Sequence, residues 1–478
     1  NITAGYKLSK SLNITLRANA SHRDQDAPGT LNQNVDPVSG TVSRDFDINP
    51  FSYSLNTSRT LDPNATYTRN YAPFNIFDEL SNNYIKVQTN DIKFQGDLSW
   101  KPIKDVEVAL LGSYRTYKAT REHVVLNNSN QAEAYRAGVD NPSVMYNNTF
   151  LYTDPDEPNS LPVSVMPVGG INVMNENSVK QLDFRGTISY NHIWNDTHIF
   201  NALVGMEANR ADYDARMNSV YGVDYDNGRL QTITPKFYKQ AQEEGTVLNR
   251  FSYSWTRRLA YFATASYSYK GRYTVNLTGR YDGNNNMGHN RSSRWLPTGN
   301  ISASWNAHEE EWFKKWAAEH HNWLSHGTLR MSYSLTGDQV AASNASPIFN
   351  STLIWRPQGT QQETGIGLSE LGNSELTYEK KKEFNLGFDL GFLQNRINLV
   401  TDIYWRNNYD LMGYINTTGS GGEIRKYAND AKMKSNGVEA TISSTNIQTK
   451  DWKWTTDFTF SYADNEITEL ESRSNVIS

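Results

Sequence analysis

An all-β protein, an antiparallel transmembrane β-barrel, is what this sequence predicts, and three observations predict it. Apolar and polar residues alternate over segment after segment, the period-2 signature of a strand with two unlike faces. The connections between these segments are short at one end and long at the other, as in bacterial outer-membrane barrels. The polar faces favour Asn, Ser, Thr, Gly, Asp and Arg over Lys and Glu, and the apolar faces start or end in Trp or Tyr. An enclosed lumen and a bilayer with aromatic girdles call for that combination.

Composition agrees. Hydrophobic residues make up 37% of the 478, and no run of about 18 apolar residues is present to form a spanning helix. Alternating strands average out such a signal, so a barrel is still allowed. A net charge of -5 leaves no basic footprint for nucleic acid. The absence of cysteine excludes disulfide staples and thiolate metal sites and fits a bacterial envelope protein. The 28 Tyr and 12 Trp suit either a sugar-binding surface or bilayer girdles. The opening NITAGYKLSK reads as a strand, with no leader-like n-region or h-region, and the closing SRSNVIS is polar. The chain therefore reads as part of a longer protein.

The elements follow in order. Ile2 to Leu8 and Leu12 to Ala20 alternate around a turn at Ser9-Lys10-Ser11. Ile92 to Trp100 and Val106 to Tyr114 flank a turn over Pro102 to Lys104. Leu182 to Tyr190 and Phe200 to Met206 meet near Asn195-Asp196, and Tyr261 to Tyr269 returns through Lys270-Gly271 into Tyr273 to Tyr281. Ile301 to Trp305 leads into EEEWFKKWAAEHH, Glu309 to His321, which reads as a short amphipathic helix, and Leu329 to Leu335 follows. In EFNLGFDLGFLQNRINLVTDIYW, Phe384, Leu386, Phe388, Leu390 and Phe392 share one face, as do Ile397, Leu399, Ile403 and Trp405 after the turn. Val438 to Ile442 and Trp454 to Phe460 close the series, for about fourteen strands. Long polar connections are expected over Arg23 to Asn90, Lys118 to Ser178, Asn209 to Gly245 and Gly337 to Leu376.

The physics favours a membrane. In lipid every backbone polar group must be paired within the protein, so a sheet can span only if it closes. Alternation alone leaves a β-sandwich, a propeller or a β-helix array open.

Five blocks of sequence sharpen the reading. GNSELTYEKKKEFNLGFDLGFLQNRINLVTDIYWRNNYDLM (Gly372 to Met412) resembles the SusC/RagA family of TonB-dependent outer-membrane transporters, with Ser374 at a usual Pro and Tyr378 at a frequent Trp. GRYDGNNNMGHNRSSRWLPTGNISASWNAHEEEWF (Gly279 to Phe313), LRMSYSLTGDQ (Leu329 to Gln339) and MKSNGVEATISSTNIQTKDWKWTTDFTFSYADNEI (Met433 to Ile467) are similar to further family blocks in the same order, and LSWKPIKDVEV (Leu98 to Val108) is a weaker match. The resemblance implies a barrel of roughly 22 strands plugged by an N-terminal domain. Residues 1–478 would be the middle of that single barrel domain, without the plug, the TonB box or the final strands. It further implies location in the bacterial outer membrane, short turns toward the periplasm and long loops outside. The implied activity is TonB-dependent import of an oligosaccharide or oligopeptide under a SusD-like surface lipoprotein, driven by the TonB complex acting on the plug.

Catalytic signatures are weak, and no enzyme activity or cofactor is expected. Asp154, Asp156 and Glu157 read as a solvated loop or a loose Ca²⁺ site. VDYDNG, Val223 to Gly228, has its glycine too early for an EF-hand and no Glu at the twelfth position. His308-Glu309 lacks the second histidine of a zinc motif, and His320 and His321 are adjacent and cannot share one helix face. Gly419, Gly421 and Gly422 lack the Walker lysine. Binding is better supported: Arg280, Tyr404 and Arg406 fall on polar faces near the outer rim, and Trp355 falls in a long loop. Rings stack on sugars, and guanidinium groups bind hydroxyl or peptide oxygens. The plainer reading of each, and the one the residues alone favour, is wall packing or an ion pair across the lumen. The alternative to a transporter is a soluble all-β domain that binds or degrades glycans.

Overall fold

The structure, a computed structural model, describes residues 1–30, 47–157, 159–230, 233–288, 290–338, 346–355, 362–417, 419 and 425–470. Fourteen strands carry the fold: β1 (Ile2–Lys7), β2 (Leu12–Pro28), β3 (Asn83–Trp100), β4 (Val106–Val125), β5 (Gly170–Trp194), β6 (His198–Asp224), β7 (Asn249–Tyr269), β8 (Tyr273–Asn284), β9 (Trp295–Asn306), β10 (Leu324–Asp338), β11 (Glu379–Phe392), β12 (Ile397–Asn416), β13 (Arg425–Gln448) and β14 (Lys453–Glu469). Each pairs antiparallel with its sequence neighbour in one unbroken order. The two-residue strand Arg229–Leu230 pairs with the far end of β6.

Register sorts the side chains. Residues directly opposite one another share a face, so one row runs Tyr190, Ala202, Ala265, Leu277, Ile301, Tyr333, Phe384 and Trp405 across β5 to β12. The adjacent row on the other face runs Ser189, Leu203, Thr264, Thr278, Asn300, Ser334, Glu383 and Arg406. The apolar side chains are left uncovered: Leu277 is 56% exposed, Ile301 52% and Leu182 51%. A soluble sandwich would bury them beneath a second layer, so the soluble-domain alternative fails here. Bordering the band are Tyr114, Trp255 and Trp405 toward the long connections, and Trp194, Tyr273 and Trp454 toward the short ones, all exposed.

The short turns use left-handed backbone, at Asn195 and Asp196 (φ 50° and 52°) and at Lys270 and Gly271 (φ 52° and 66°), as tight hairpins with right-twisted strands prefer. The predicted helix is confirmed in shortened form: a 3₁₀ turn at Ala307–Glu309 and a helix over Glu311–Glu319 that buries Phe313 and Ala317. Glu310 leads into it and accepts from Arg272 Nη1 at 3.1 Å and Tyr273 Oη at 2.5 Å, fixing the helix to the strand ends.

The long connections differ from expectation. β2 continues to Pro28, β5 begins at Gly170, and β6 runs to Asp224, all inside segments expected to be irregular. Beyond the bilayer both faces meet water or loops, so the strands persist without the apolar alternation that reveals them. What remains of the connections is packed. Tyr135, Phe150, Val165, Met166, Ile171 and Phe237 form a buried cluster, and Ile48, Phe74 and Ile76 a second. Four helices there are seven residues or fewer, over Pro50–Asn56, Ile76–Asn82, Asn130–Ala134 and Pro142–Asn147, and one of nine residues runs over Pro235–Glu243, all too short for a clear helical period.

A buried polar network fastens this cap to the wall. Glu79 accepts from Asn83 Nδ2 at 3.1 Å and from the Asn130 backbone N–H at 2.7 Å. Asn83 Oδ1 in turn lies 2.6 Å from His123 Nε2, which must donate.

Candidate functional site

The polar face is wired before any ligand arrives. Between neighbouring strands, Arg17 reaches Asp97 at 2.9 Å, Arg115 reaches Asp91 at 2.6 Å, and Arg330 reaches Asp389 at 2.8 Å. These charges lie inward because an outward cation near the bilayer midplane costs about 2–4 kcal/mol. They pair because a lumenal charge without a partner remains a repulsive site in a confined space.

Arg280, on β8, stands in the longest of these chains. Its Nε donates to Asp282 Oδ1 at 2.8 Å and its Nη2 to Glu207 Oε2 at 3.0 Å. Glu207 also lies 3.4 Å from Arg185. The Phe262 ring sits beneath both guanidinium groups, with Arg185 Cζ at 5.3 Å and Arg280 Cζ at 5.5 Å from its centre, a cation–π arrangement that holds them upright.

Arg280 also lines a cavity of about 1560 Å³, which opens beneath the connections before β9 and after β10. Glu207, Asn209, Arg258, Asp282 and Tyr378 line it too. Arg258 makes no ion pair among the described residues. Tyr378 is buried, donates to the Arg294 carbonyl at 3.3 Å, and has its phenol pushed up to about 12, by burial first and then by Asp282. The space exceeds the few hundred to 1,000 Å³ of a small-molecule pocket and is walled by both donors and acceptors, so it suits a large polar solute held by many modest contacts.

Tyr404 and Arg406 form a unit on β12, four strands beyond Arg280. Arg406 Cζ lies 3.7 Å from the centre of the Tyr404 ring, and its Nε donates to Glu383 Oε2 at 2.6 Å. Tyr404 is 5% exposed, so its covered ring serves to orient the guanidinium. Trp355 closes the strand Ile348–Trp355, opposite Gln362 in a loop hairpin; its side chain lies outside the described residues. The four candidates are therefore split among three places. Asp282 could have been read from the sequence, being two residues from Arg280 and so on the same face. Glu207, Arg258 and Tyr378 come from other strands or a loop and depend on register and loop path.

The remaining motifs resolve into structure. Lys239 binds both Asp154 and Asp156, the latter at 2.5 Å, so a protein ammonium stands where the Ca²⁺ alternative placed a metal. Its hydrogen bond is the main cause holding the Asp154 carboxyl below the usual range. Asp224 accepts from the Asp226 and Asn227 backbones as a turn residue. The His308 and His326 rings lie tilted against each other with centres 3.9 Å apart. Gly421 and Gly422 lie outside the described residues, and no group of three metal-binding side chains occurs among the described ones.

Comparison with known proteins accords with this geometry. The family model described as TonB dependent receptor-like, beta-barrel matches residues 15–476. The TonB-dependent receptor P39 of Formosa agariphila is 26% identical over 283 residues, which is 59% of this chain and 25% of that protein. The TonB-dependent receptor SusC of Bacteroides thetaiotaomicron is 28% identical over 239 residues, 49% of this chain and 23% of that protein. In fold the chain is similar to a chain of the RagAB peptide transporter, with a TM-score of 0.65 at 18% identity over 98% of this chain and 46% of that one. The matched region thus spans about a quarter of the curated relatives and under half of the solved chain. With its outward apolar rows, inward ion pairs and family match in agreement, this chain belongs to the β-barrel family of TonB-dependent receptors and resides in the bacterial outer membrane.

Proposed function

We propose that the fourteen strands are part of the single barrel domain of an importer that takes up a large polar nutrient, an oligosaccharide or oligopeptide. A plug driven by the TonB complex would open the path, and a SusD-like surface lipoprotein would present the substrate. The observation that carries this reading is the cavity of about 1560 Å³ beneath the outer connections. It is bounded by an ion-paired polar wall that continues down the inner face of the sheet.

In this reading Arg258 and Tyr378 meet the substrate first, because both line the cavity and no carboxylate among the described residues pairs with Arg258. Arg280 would position the wall and exchange one partner for a substrate oxygen. Arg406, held upright by Tyr404, would act at a second position along the path, and Trp355 would supply a ring from the loop. Guanidinium groups recognise hydroxyl and peptide oxygens alike, so the inner wall accommodates both substrate classes.

The test is uptake of fluorescent oligosaccharides and oligopeptides by cells carrying the full-length protein, with and without a protonophore. Energy-dependent accumulation of one class is expected, with loss in Arg258→Ala at unchanged protein level. Accumulation that persists after the proton gradient collapses would refute TonB-driven import. Extraction of the full-length protein as a monodisperse species without detergent would remove the barrel reading altogether.

A further inference from the structure

The outward face of β1 to β5 carries a groove of about 640 Å³ with a nearly all-apolar lining. Its floor is made by absence. Gly96 and Gly112 stand directly opposite each other across β3 and β4, and a Cβ built on Gly112 meets nothing within 4 Å. Its walls are Leu16, Phe94, Tyr114, Leu182 and Phe184, each 41–59% exposed. Elsewhere on this face, rows such as Leu277, Ile301, Tyr333 and Phe384 present side chains at successive strands and offer lipid an even surface. Here the surface is indented, inside the band between the aromatic borders.

Cations begin at the groove's upper rim. Leu182 lies directly opposite Arg210, and Arg210 opposite Arg257. One step outward on the same face, Lys180 lies between Thr116 and Asp212. One step further, Lys118 lies opposite Ser178, and Ser178 opposite Asp214. Those three rows hold four cations and two carboxylates. Asp212 is shared by Arg210 at 3.0 Å and Arg257 at 2.5 Å. Lys118 pairs with Glu176 at 2.7 Å and Asp214 with Arg216 at 2.6 Å, both partners one row higher. Lys180 is exposed and makes no ion pair among the described residues.

Successive same-face positions on a strand are about 7 Å apart. The cations therefore begin within one such step of the groove, level with Tyr114, where head groups meet acyl chains. A surplus of positive charge at that level on a lipid-facing wall attracts phosphate, and an indented apolar surface just below it holds a chain in contact on three sides.

We propose that this face is a binding site for a phosphorylated lipid of the outer leaflet. One acyl chain would lie in the groove over Gly96 and Gly112, with phosphate held by Lys180 and Arg210 and supported by Arg257. Charge complementarity selects the occupant. A zwitterionic lipid would leave the excess cations unmatched, whereas a doubly phosphorylated glycolipid matches them.

The site is tested by native mass spectrometry of the full-length protein in detergent, titrated with bisphosphorylated lipid A or its dephosphorylated counterpart. Retention of the phosphorylated form is expected to be about tenfold or more higher, and the double variant Lys180→Gln/Arg210→Gln should remove most of that preference. Gly112→Leu fills the groove without touching the cations and should lower retention of both lipids several-fold. Excess inorganic phosphate should leave the bound lipid in place. Equal retention of both lipids, an unchanged preference in the double variant, indifference to Gly112→Leu, or displacement by inorganic phosphate would each overturn the assignment.

Discussion

The wall and the cap above it solve opposite problems with the same residue types. In the wall, Leu182 is 51% and Phe94 56% exposed, while in the cap Val165 is 0% and Phe150 6%. The wall turns its apolar groups outward because acyl chains accept them, and it directs charge inward, where Arg280, Glu207 and Asp282 satisfy one another. The cap stands in water and buries Tyr135, Phe150, Met166 and Ile171 as a small soluble domain would. Burial is thus no guide to importance in this molecule until the local solvent is known.

The cap core should break most sharply. Phe150→Ala is expected to destabilise residues 126–169 by about 3–5 kcal/mol, read as faster hydrogen exchange there with strand amides of the wall unchanged. Equal loosening of both regions would show that they are one cooperative unit. In the wall the sign reverses: Leu386→Lys, between Met331 and Ile403 on the apolar face, should cost about 2–4 kcal/mol. Asn385→Lys, on the lumenal face, should be mild in the same refolding titration. Equal tolerance of the two would contradict the assignment of faces.

Acid should separate the regions as well. Burial first, and then Arg121, lowers the His123 imidazole from 6.5 to about 4, so the folded network keeps it neutral. The unfolded chain binds a proton there at higher pH, and stability is therefore present above pH 6.5 and lost as pH falls toward 4. At about 1.4 kcal/mol per unit the full loss is roughly 3 kcal/mol. Glu79, raised by burial, works against it, since its contribution is present at low pH and lost as pH rises through its folded value. Net loosening of the cap at pH 5, followed by limited proteolysis, and a flatter profile in His123→Gln are expected. An unchanged profile in that variant would remove His123 from the account. Smallest of all should be Arg17→Ala, which breaks the half-exposed pair with Asp97 for about 1 kcal/mol or less in thermal unfolding.

Strand number and facing were legible in the sequence because a half-lipid strand must write its two solvents into alternate residues. Phe384, Leu386 and Phe388 on one side of β11, against Asn385, Gly387 and Asp389 on the other, carry that information locally. Turn positions were legible for a similar reason, since Asn195-Asp196 and Lys270-Gly271 supply the backbone their hairpins need. The outer halves of β5 and β6 were not, because Glu176, Ser178 and Lys180 meet polar surroundings on both faces and leave no period to read. Tertiary structure alone decided that Arg280 meets Glu207 from a different strand, that Lys239 closes over Asp154, and that Gly96 and Gly112 align into a groove. Each is a contact between segments set by register and loop path, and neither quantity is encoded in the polarity of a single segment.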